Sequence, residues 1–152
     1  MKLKYIVLLC SLLLSLKALA VNTGEMLMIR SGEAFPETMS TLQEAINKRG
    51  YTLSRVQRVD VGLSAKGYQT DKYRVVFFGK GEQIQQLSAK YPQLVPYLPL
   101  KIAIYAEGDN TILISANPNT FHDMFMLPEL KPVFDEWLKD ITEIFNVVQN
   151  SN

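Results

Sequence analysis

The segment His122-Asp123-Met124-Phe125-Met126 carries the side chains best suited to metal chemistry. Imidazole and thioether groups are ligands that suit Cu(I), which is handled outside the cytoplasm. On a helix, His122 and Met126 would share a face because they are four positions apart, whereas Met124 would point away. The segment therefore predicts a copper-type site at His122 and Met126. The alternative is that the methionines only fill gaps beneath a helix.

Residues for enzyme catalysis are few in this chain. His122 is the only histidine, which excludes a two-histidine metal site within one chain. The only cysteine is Cys10, and no G-x-S-x-G motif is present. A serine paired with His122 remains open as a nucleophile. The sequence does not favour an enzyme. No cofactor is expected unless the copper hypothesis holds.

A third candidate site is a stretch in which prolines alternate with tyrosines. Pro92 and Pro96 exclude regular structure before the next strand, and tyrosine provides rigid, amphipathic contact area. This composition favours a groove that binds an apolar ligand or a peptide, with a stiff loop that caps the core as the alternative. The residues predicted to line the groove are Tyr91, Tyr97, Leu98, Pro99 and Tyr105.

The first twenty residues are typical of a cleavable signal peptide. Lys2 and Lys4 precede an apolar run at residues 5–16, and Ala18-Leu19-Ala20 has the small-x-small pattern that signal peptidase reads. The run is too short to cross a membrane, for which about 20 apolar residues are needed. We expect cleavage between Ala20 and Val21, a periplasmic location, and a mature domain of residues 21–152 without a membrane anchor.

The charge of the mature domain argues against a nucleic-acid partner. Three of the 16 basic residues lie in the signal peptide, so 13 remain against 15 acidic ones, a net charge of −2. Binding to nucleic acid without sequence preference needs a concentrated basic surface. Cys10 would leave with the signal peptide, so the mature domain would contain no disulfide.

Hydrophobic periodicity and turn residues predict one α+β domain with the order βαββαββαα. The sheet would have five strands, mostly antiparallel or mixed, with helices packed on at least one face. The second strand, at residues 51–61, slips phase between Leu53 and Val56, which indicates a bulge. The third strand is apolar on both faces, through Val75 and Phe77 as well as Val76 and Phe78. This predicts a central strand covered on both sides.

The last helix carries a long apolar stripe centred on Trp137. Its members recur three or four positions apart, whereas Lys139, Asp140 and Glu143 lie off the stripe. This pattern favours a helix that docks on the sheet. A partly exposed stripe that joins a symmetric homodimer is the alternative.

Several short pieces of this sequence resemble the domain of unknown function family 302. They are Lys48-Arg49-Gly50-Tyr51, Phe78-Gly79, Leu98-Pro99-Leu100 leading into Lys101-Ile-Ala-Ile-Tyr105, and Asn117-Pro118, which span roughly residues 26–118. After Phe78-Gly79 the family often has Asn-Pro, where this chain has Lys80-Gly81. The resemblance implies a small α+β fold and brings no established activity, cofactor or catalytic residue.

Together these features predict an exported module that binds a small ligand or a protein partner, or that assembles as a homodimer. A periplasmic copper-binding protein is the alternative, and an enzyme comes third. The ligand and the partner remain unidentified by the sequence.

Overall fold

The computed structural model describes residues 24–151 of the chain, in which helices and a sheet are combined. The predicted cleavage position between Ala20 and Val21 lies outside the described residues. The elements are β1 (Met26–Ser31), α1 (Phe35–Lys48), β2 (Thr52–Arg58), α2 (Val59–Ser64), β3 (Tyr73–Gly79), α3 (Gly81–Lys90), β4 (Leu100–Glu107), β5 (Asn110–Ala116), α4 (Thr120–Phe125) and α5 (Lys131–Gln149). Two 3-10 helices, Pro92–Tyr97 and Pro128–Leu130, precede β4 and α5.

The five strands form one sheet in the order β1-β5-β4-β3-β2, and every neighbouring pair is antiparallel. Gly108 begins the two-residue turn between β4 and β5 with φ +60°, a conformation that glycine adopts at little cost. The predicted α+β class and five-stranded antiparallel sheet are therefore confirmed.

The second strand is shorter than predicted, and a helix follows it. β2 ends at Arg58, which pairs with Arg74, so only Tyr73 of β3 remains beyond it. The chain turns directly into α2, where a strand to residue 61 and a loop were predicted. Asp60 in the first turn of α2 forms an ion pair with Arg74 and ties the helix to β3. The predicted bulge is present, because the register shifts between Leu53 and Arg55.

The core lies on one face of the sheet. Alternate strand residues such as Ile29, Val76, Ile102 and Leu113 are buried there against α1 and α5. The stripe of α5 packs into this core, as its spacing predicts. Its buried members are Phe134, Trp137, Ile141, Ile144, Phe145 and Val148. The stripe therefore docks on the sheet, as its spacing favours.

The expectation that β3 is covered on both sides is wrong. β3 is an interior strand between β2 and β4, and Val76 and Phe78 belong to the core. Val75 and Phe77 point to the opposite face, are only partly buried, and do not pack against the core. A one-sided antiparallel sheet leaves this second face uncovered by the helices of residues 24–151. Among residues 24–151, no helix has the length and apolar character needed to cross a membrane.

Candidate functional site

The face of the sheet that points away from the core, called the open face below, carries a continuous line of apolar side chains. Met28, Ile114, Ala103 and Val75 are register partners on β1, β5, β4 and β3, so they lie side by side. Ile112 and Phe77 flank this line. We call the six residues the apolar strip.

The apolar strip is accessible and lies outside the core of the described chain. Each of its members is partly exposed, and none belongs to the core or packs against it. An antiparallel sheet with one solvated face usually alternates apolar residues inside with polar residues outside. The apolar strip breaks that pattern across four adjacent strands. Contiguous apolar surface of this kind marks an interaction site more often than isolated apolar residues do.

The two ends of the open face differ in charge. At one end, Lys101 and Arg55 lie on either side of Phe77, as its register partners on β4 and β2, and both are exposed. At the other end are the carboxylates of Glu107 and Asp71. Glu107 pairs with Arg30 at 2.6 Å, and Asp71 accepts a hydrogen bond from the Tyr105 hydroxyl at 3.4 Å.

The structure separates the residues predicted to line a groove. Tyr97 packs its ring on Phe121 and Phe125 at centroid distances of 5.2 and 5.4 Å, and Leu98 and Pro99 follow it half-buried. Tyr91 is buried in the core. Tyr105 lies on the open face, where its ring meets Tyr73 edge to face. Tyr97, Leu98 and Pro99 are therefore brought together, whereas Tyr91 and Tyr105 lie apart from them.

A small cavity lies beside Tyr97. It measures about 30 Å³ and is lined by Tyr97, Leu100, Lys101, Ser115, Ala116, Pro118, Phe121 and Ile141. A single water molecule fits such a volume, whereas clefts for small molecules measure roughly 300–1,000 Å³. The cavity is therefore a packing gap at the base of β4 and β5.

His122 and Met126 both line a shallow depression of about 490 Å³, together with Asp123, Leu127 and Pro128. Met126 lies past the end of α4 with φ +52° and is 80% exposed, so the two do not share a helical face as predicted. The His122 ring contacts Phe134, and its Nε2 atom is buried without a hydrogen-bond partner.

The surroundings of His122 hold one carboxylate close to the imidazole. Asp135 Oδ1 lies 3.6 Å from His122 Nε2. The pKa of Asp135 is lowered, first by its hydrogen bond to Lys131 and further by His122. Within residues 24–151, no group of three or more histidine, cysteine, aspartate or glutamate side chains is arranged to hold a metal ion. A metal at His122 would therefore depend on thioether ligands.

A buried polar network near the end of α1 was not predicted. Asp140 is buried, although its sequence position was assigned to the polar side of α5. It accepts hydrogen bonds from Arg49 at 2.5 Å and from the Tyr51 hydroxyl at 2.7 Å. Arg49 also pairs with Glu143. The signal that could have revealed Asp140 is its spacing within the apolar stripe, three positions after Trp137 and four before Ile144.

Hydrogen bonds and ion pairs in this network join residues from distant parts of the chain. Burial raises the pKa of Tyr51, and its hydrogen bond to Asp140 raises it further. The hydrogen bond to Asp140 raises the pKa of Arg49. Lys80 lies 4.8 Å above the Tyr51 ring and pairs with Glu136 at 2.6 Å. Tyr51 is only 3% exposed, so the network fastens the connection between α1 and β2 to α5.

Comparison with known proteins identifies the family. The model of the domain of unknown function DUF302 matches residues 28–148. This chain belongs to the DUF302 family. A crystal structure of an uncharacterised conserved DUF302 protein from Bacillus stearothermophilus has the same fold, with a TM-score of 0.73 and 17% sequence identity over 81% of this chain and 97% of that one. No curated protein matches the sequence.

In this DUF302 domain, two of the pieces that resemble the family meet at the buried network. Arg49 and Tyr51 contribute to it directly, and Phe78 contacts Tyr51 edge to face at 5.3 Å. Lys80, which stands where the family often has asparagine, adds a cation to the network. These two pieces therefore belong to the framework of the domain, whereas a third piece, Lys101-Ile-Ala-Ile-Tyr105, contributes Ala103 to the apolar strip.

Proposed function

We propose that this DUF302 domain is an exported binding module that recognises a protein partner through the open face of its sheet. The observation that carries the proposal is the apolar strip, which crosses four strands, is partly exposed and does not pack against the core. Leaving such a surface in water is unfavourable by about 25 cal/mol for each Å² of apolar area. A partner that covers the strip recovers that free energy.

The shape of the open face favours a protein over a small ligand. Small-molecule sites are concave, whereas one face of a sheet is broad and gently twisted. The cavity beside Tyr97 has room for about one water molecule. Protein interfaces combine an apolar centre with a polar rim. The apolar strip with Lys101, Arg55 and Glu107 around it has this composition.

The signal-like leader supports export and a periplasmic location as part of the same proposal. Lys2 and Lys4, the apolar run at residues 5–16 and Ala18-Leu19-Ala20 together have the pattern that the secretion machinery reads. A partner would then be another exported protein or the exposed part of a membrane protein.

Site-specific photo-crosslinking in living cells tests the proposal. A photo-crosslinking amino acid is placed at Ala103 or Ile112 on the open face, and at Val147 on α5 as the matched control, since Val147 is 52% exposed. We expect discrete protein adducts from the two face positions and none of the same mass from Val147. Adducts that are equal at all three positions, or that are absent from the face, would contradict the proposal.

Copper binding at His122 is a second candidate function. It is supported by the buried Nε2 atom without a hydrogen-bond partner and by the depression that Met126 also lines. In a competition titration with Cu(I), His122→Ala and Met126→Leu should each weaken binding about tenfold or more, because each removes one donor. Met124→Leu is the control. Affinities that stay equal in all variants would reject copper binding here.

A further inference from the structure

We infer that the partner of the open face is a second copy of this chain, packed face to face so that the two β4 strands run antiparallel across the interface. This inference rests on the proposed function of the open face. Two sheets that pack in this way form a sandwich with about 10 Å between them. The interface would be isologous, with a two-fold axis in its plane and perpendicular to the strands.

The charges of the open face are partly complementary to themselves in this arrangement, since Arg30 already pairs with Glu107 at the acidic end. The two-fold axis places the Lys101 and Arg55 end of one copy over the end of the second copy that carries Glu107 and Asp71. With the axis at the Ala103 row, Lys101 lies over the row of Tyr105 in the second copy, and Glu107 lies two residues, or about 7 Å, further along that strand. Opposite charges across an interface fix its register and favour association.

The other face-to-face arrangement, with the axis parallel to the strands, brings like charges together. The two Lys101 side chains would then lie over each other, with one Arg55 about 10 Å away on each side. Like charges across an interface disfavour association. The charge distribution therefore selects the antiparallel arrangement of the two β4 strands.

The apolar strip is also complementary to itself in the antiparallel arrangement. The line of Met28, Ile114, Ala103 and Val75 is the middle row of the face, so the axis places it over its own copy. The small side chain of Ala103 at its centre lets the sheets approach. Phe77 of one copy lies over the row of Tyr73 in the second copy, where two aromatic rings can pack.

The area of the open face fits a reversible dimer. Five strands about 4.8 Å apart and seven residues of about 3.4 Å each give a face of roughly 20 by 24 Å. Stable interfaces bury about 800 Å² on each partner. The open face, with a flat area of roughly 480 Å², is smaller than that, so the dimer should be weak and should dissociate on dilution.

Sedimentation of the protein as recovered from its expression host, with its N terminus defined by mass spectrometry, tests the inference. We expect a dimer at about 100 µM and a growing monomer fraction near 1 µM, as an interface of this size allows. Ala103→Glu should give only monomer. Lys101→Glu should weaken the dimer about tenfold or more, and the double variant Lys101→Glu with Glu107→Lys should recover it. Lys139→Glu on α5 is the control.

The outcomes separate this inference from the proposed function. Small interfaces associate at about 100 µM, so a wild-type protein that is monomeric at this concentration overturns the second copy as partner. A Lys101→Glu variant that sediments like Lys139→Glu overturns it as well. If position 103 then crosslinks to a different protein, the open face remains a binding surface. If the protein is a monomer and photo-crosslinking gives no adduct specific to the open face, both the dimer and the proposed function are overturned. The same holds if the open face crosslinks only to residues 1–20 of its own chain. Thermal melts establish that each variant is folded.

Discussion

Asp140 illustrates at the scale of single residues how a buried charge is accommodated. Its side chain is 10% exposed and lies among the apolar residues of α5, where an isolated carboxylate would be strongly unfavourable. Arg49 and Tyr51 each donate a hydrogen bond to one of its two oxygens. The sequence assigned Asp140 to the polar side of the helix by its charge, because the partners that make its burial tolerable lie about 90 positions away.

Removal of the Asp140 carboxylate should destabilise the domain strongly. Asp140→Ala leaves the Tyr51 hydroxyl buried without an acceptor, and we expect a loss of about 3 kcal/mol in the free energy of unfolding. Urea denaturation measures this loss. Glu143, the other partner of Arg49, has a side chain that is 39% exposed. Glu143→Ala should therefore cost less than about 1 kcal/mol in the free energy of unfolding. Equal losses in the two variants would contradict the assigned role of Asp140.

Tyr51 should make the domain sensitive to alkaline pH. Its pKa in the folded state is raised by burial and by Asp140, whereas an unfolded tyrosine has a pKa of about 10. Above about pH 10 the unfolded state loses a proton that the folded state keeps, so stability falls as pH rises, by up to about 1.4 kcal/mol per pH unit.

The measurement for this prediction is the difference in unfolding free energy between the wild type and Tyr51→Phe as a function of pH. The difference should favour the wild type near pH 7 and shrink above about pH 10. Tyr68→Phe is the control, since Tyr68 is 63% exposed. A wild-type advantage that stays constant up to pH 11 would reject this prediction.

At the scale of elements, local sequence predicted most of the strands and helices. The element that it missed, α2, depends on where the pairing between β2 and β3 ends. The bulge in β2 followed from a break in alternation at Leu53. Helix α2 was missed because β2 ends where β3 begins to pair, and that register is a property of two strands together. The helix is then held by the ion pair between Asp60 and Arg74, which was not visible in local periodicity.

The junction between β3 and α3 depends on the absence of a side chain at Gly79. A Cβ atom there would overlap Cδ1 of Ile84 and lie 3.1 Å from its Cγ1. Gly79→Ala should therefore cost about 1 kcal/mol of stability or less, because Cδ1 is the end of a flexible side chain that can turn away. Ile84→Val removes the overlapping atom, so the double variant should lose less than the sum of the two single losses. Additive losses in urea denaturation would show that the two residues do not compete for space.

At the scale of the whole molecule, the placement of all the helix packing on one face of the sheet defines the candidate site. The apolar character of Val75 and Phe77 was read from the sequence as a sign of a covered strand. The structure instead gives these residues to the open face, where residues from four strands form one surface. A periodic pattern shows that a side chain avoids water, and it does not show whether the same chain or another molecule covers it.

Export predicts a defined mature N terminus. The protein recovered from the periplasm should have the mass of residues 21–152, because signal peptidase reads the small residues Ala18 and Ala20. Ala20→Arg should retain residues 1–20, whereas Leu19→Gln should be cleaved normally, since the middle position is not read. A full-length wild-type mass in the soluble fraction would contradict export through this leader.

The sequence by itself determined the α+β class, the number of strands, the bulge near Leu53 and the buried stripe of α5, because each follows from periodicity within a short segment. The tertiary structure decided which strands are neighbours, that Asp140 is buried with Arg49 and Tyr51, and that Tyr105 lies on the opposite side of the sheet from the core. These outcomes depend on contacts between distant positions of the chain. The apolar strip belongs to the second group, since only the register of β1, β5, β4 and β3 brings its residues together.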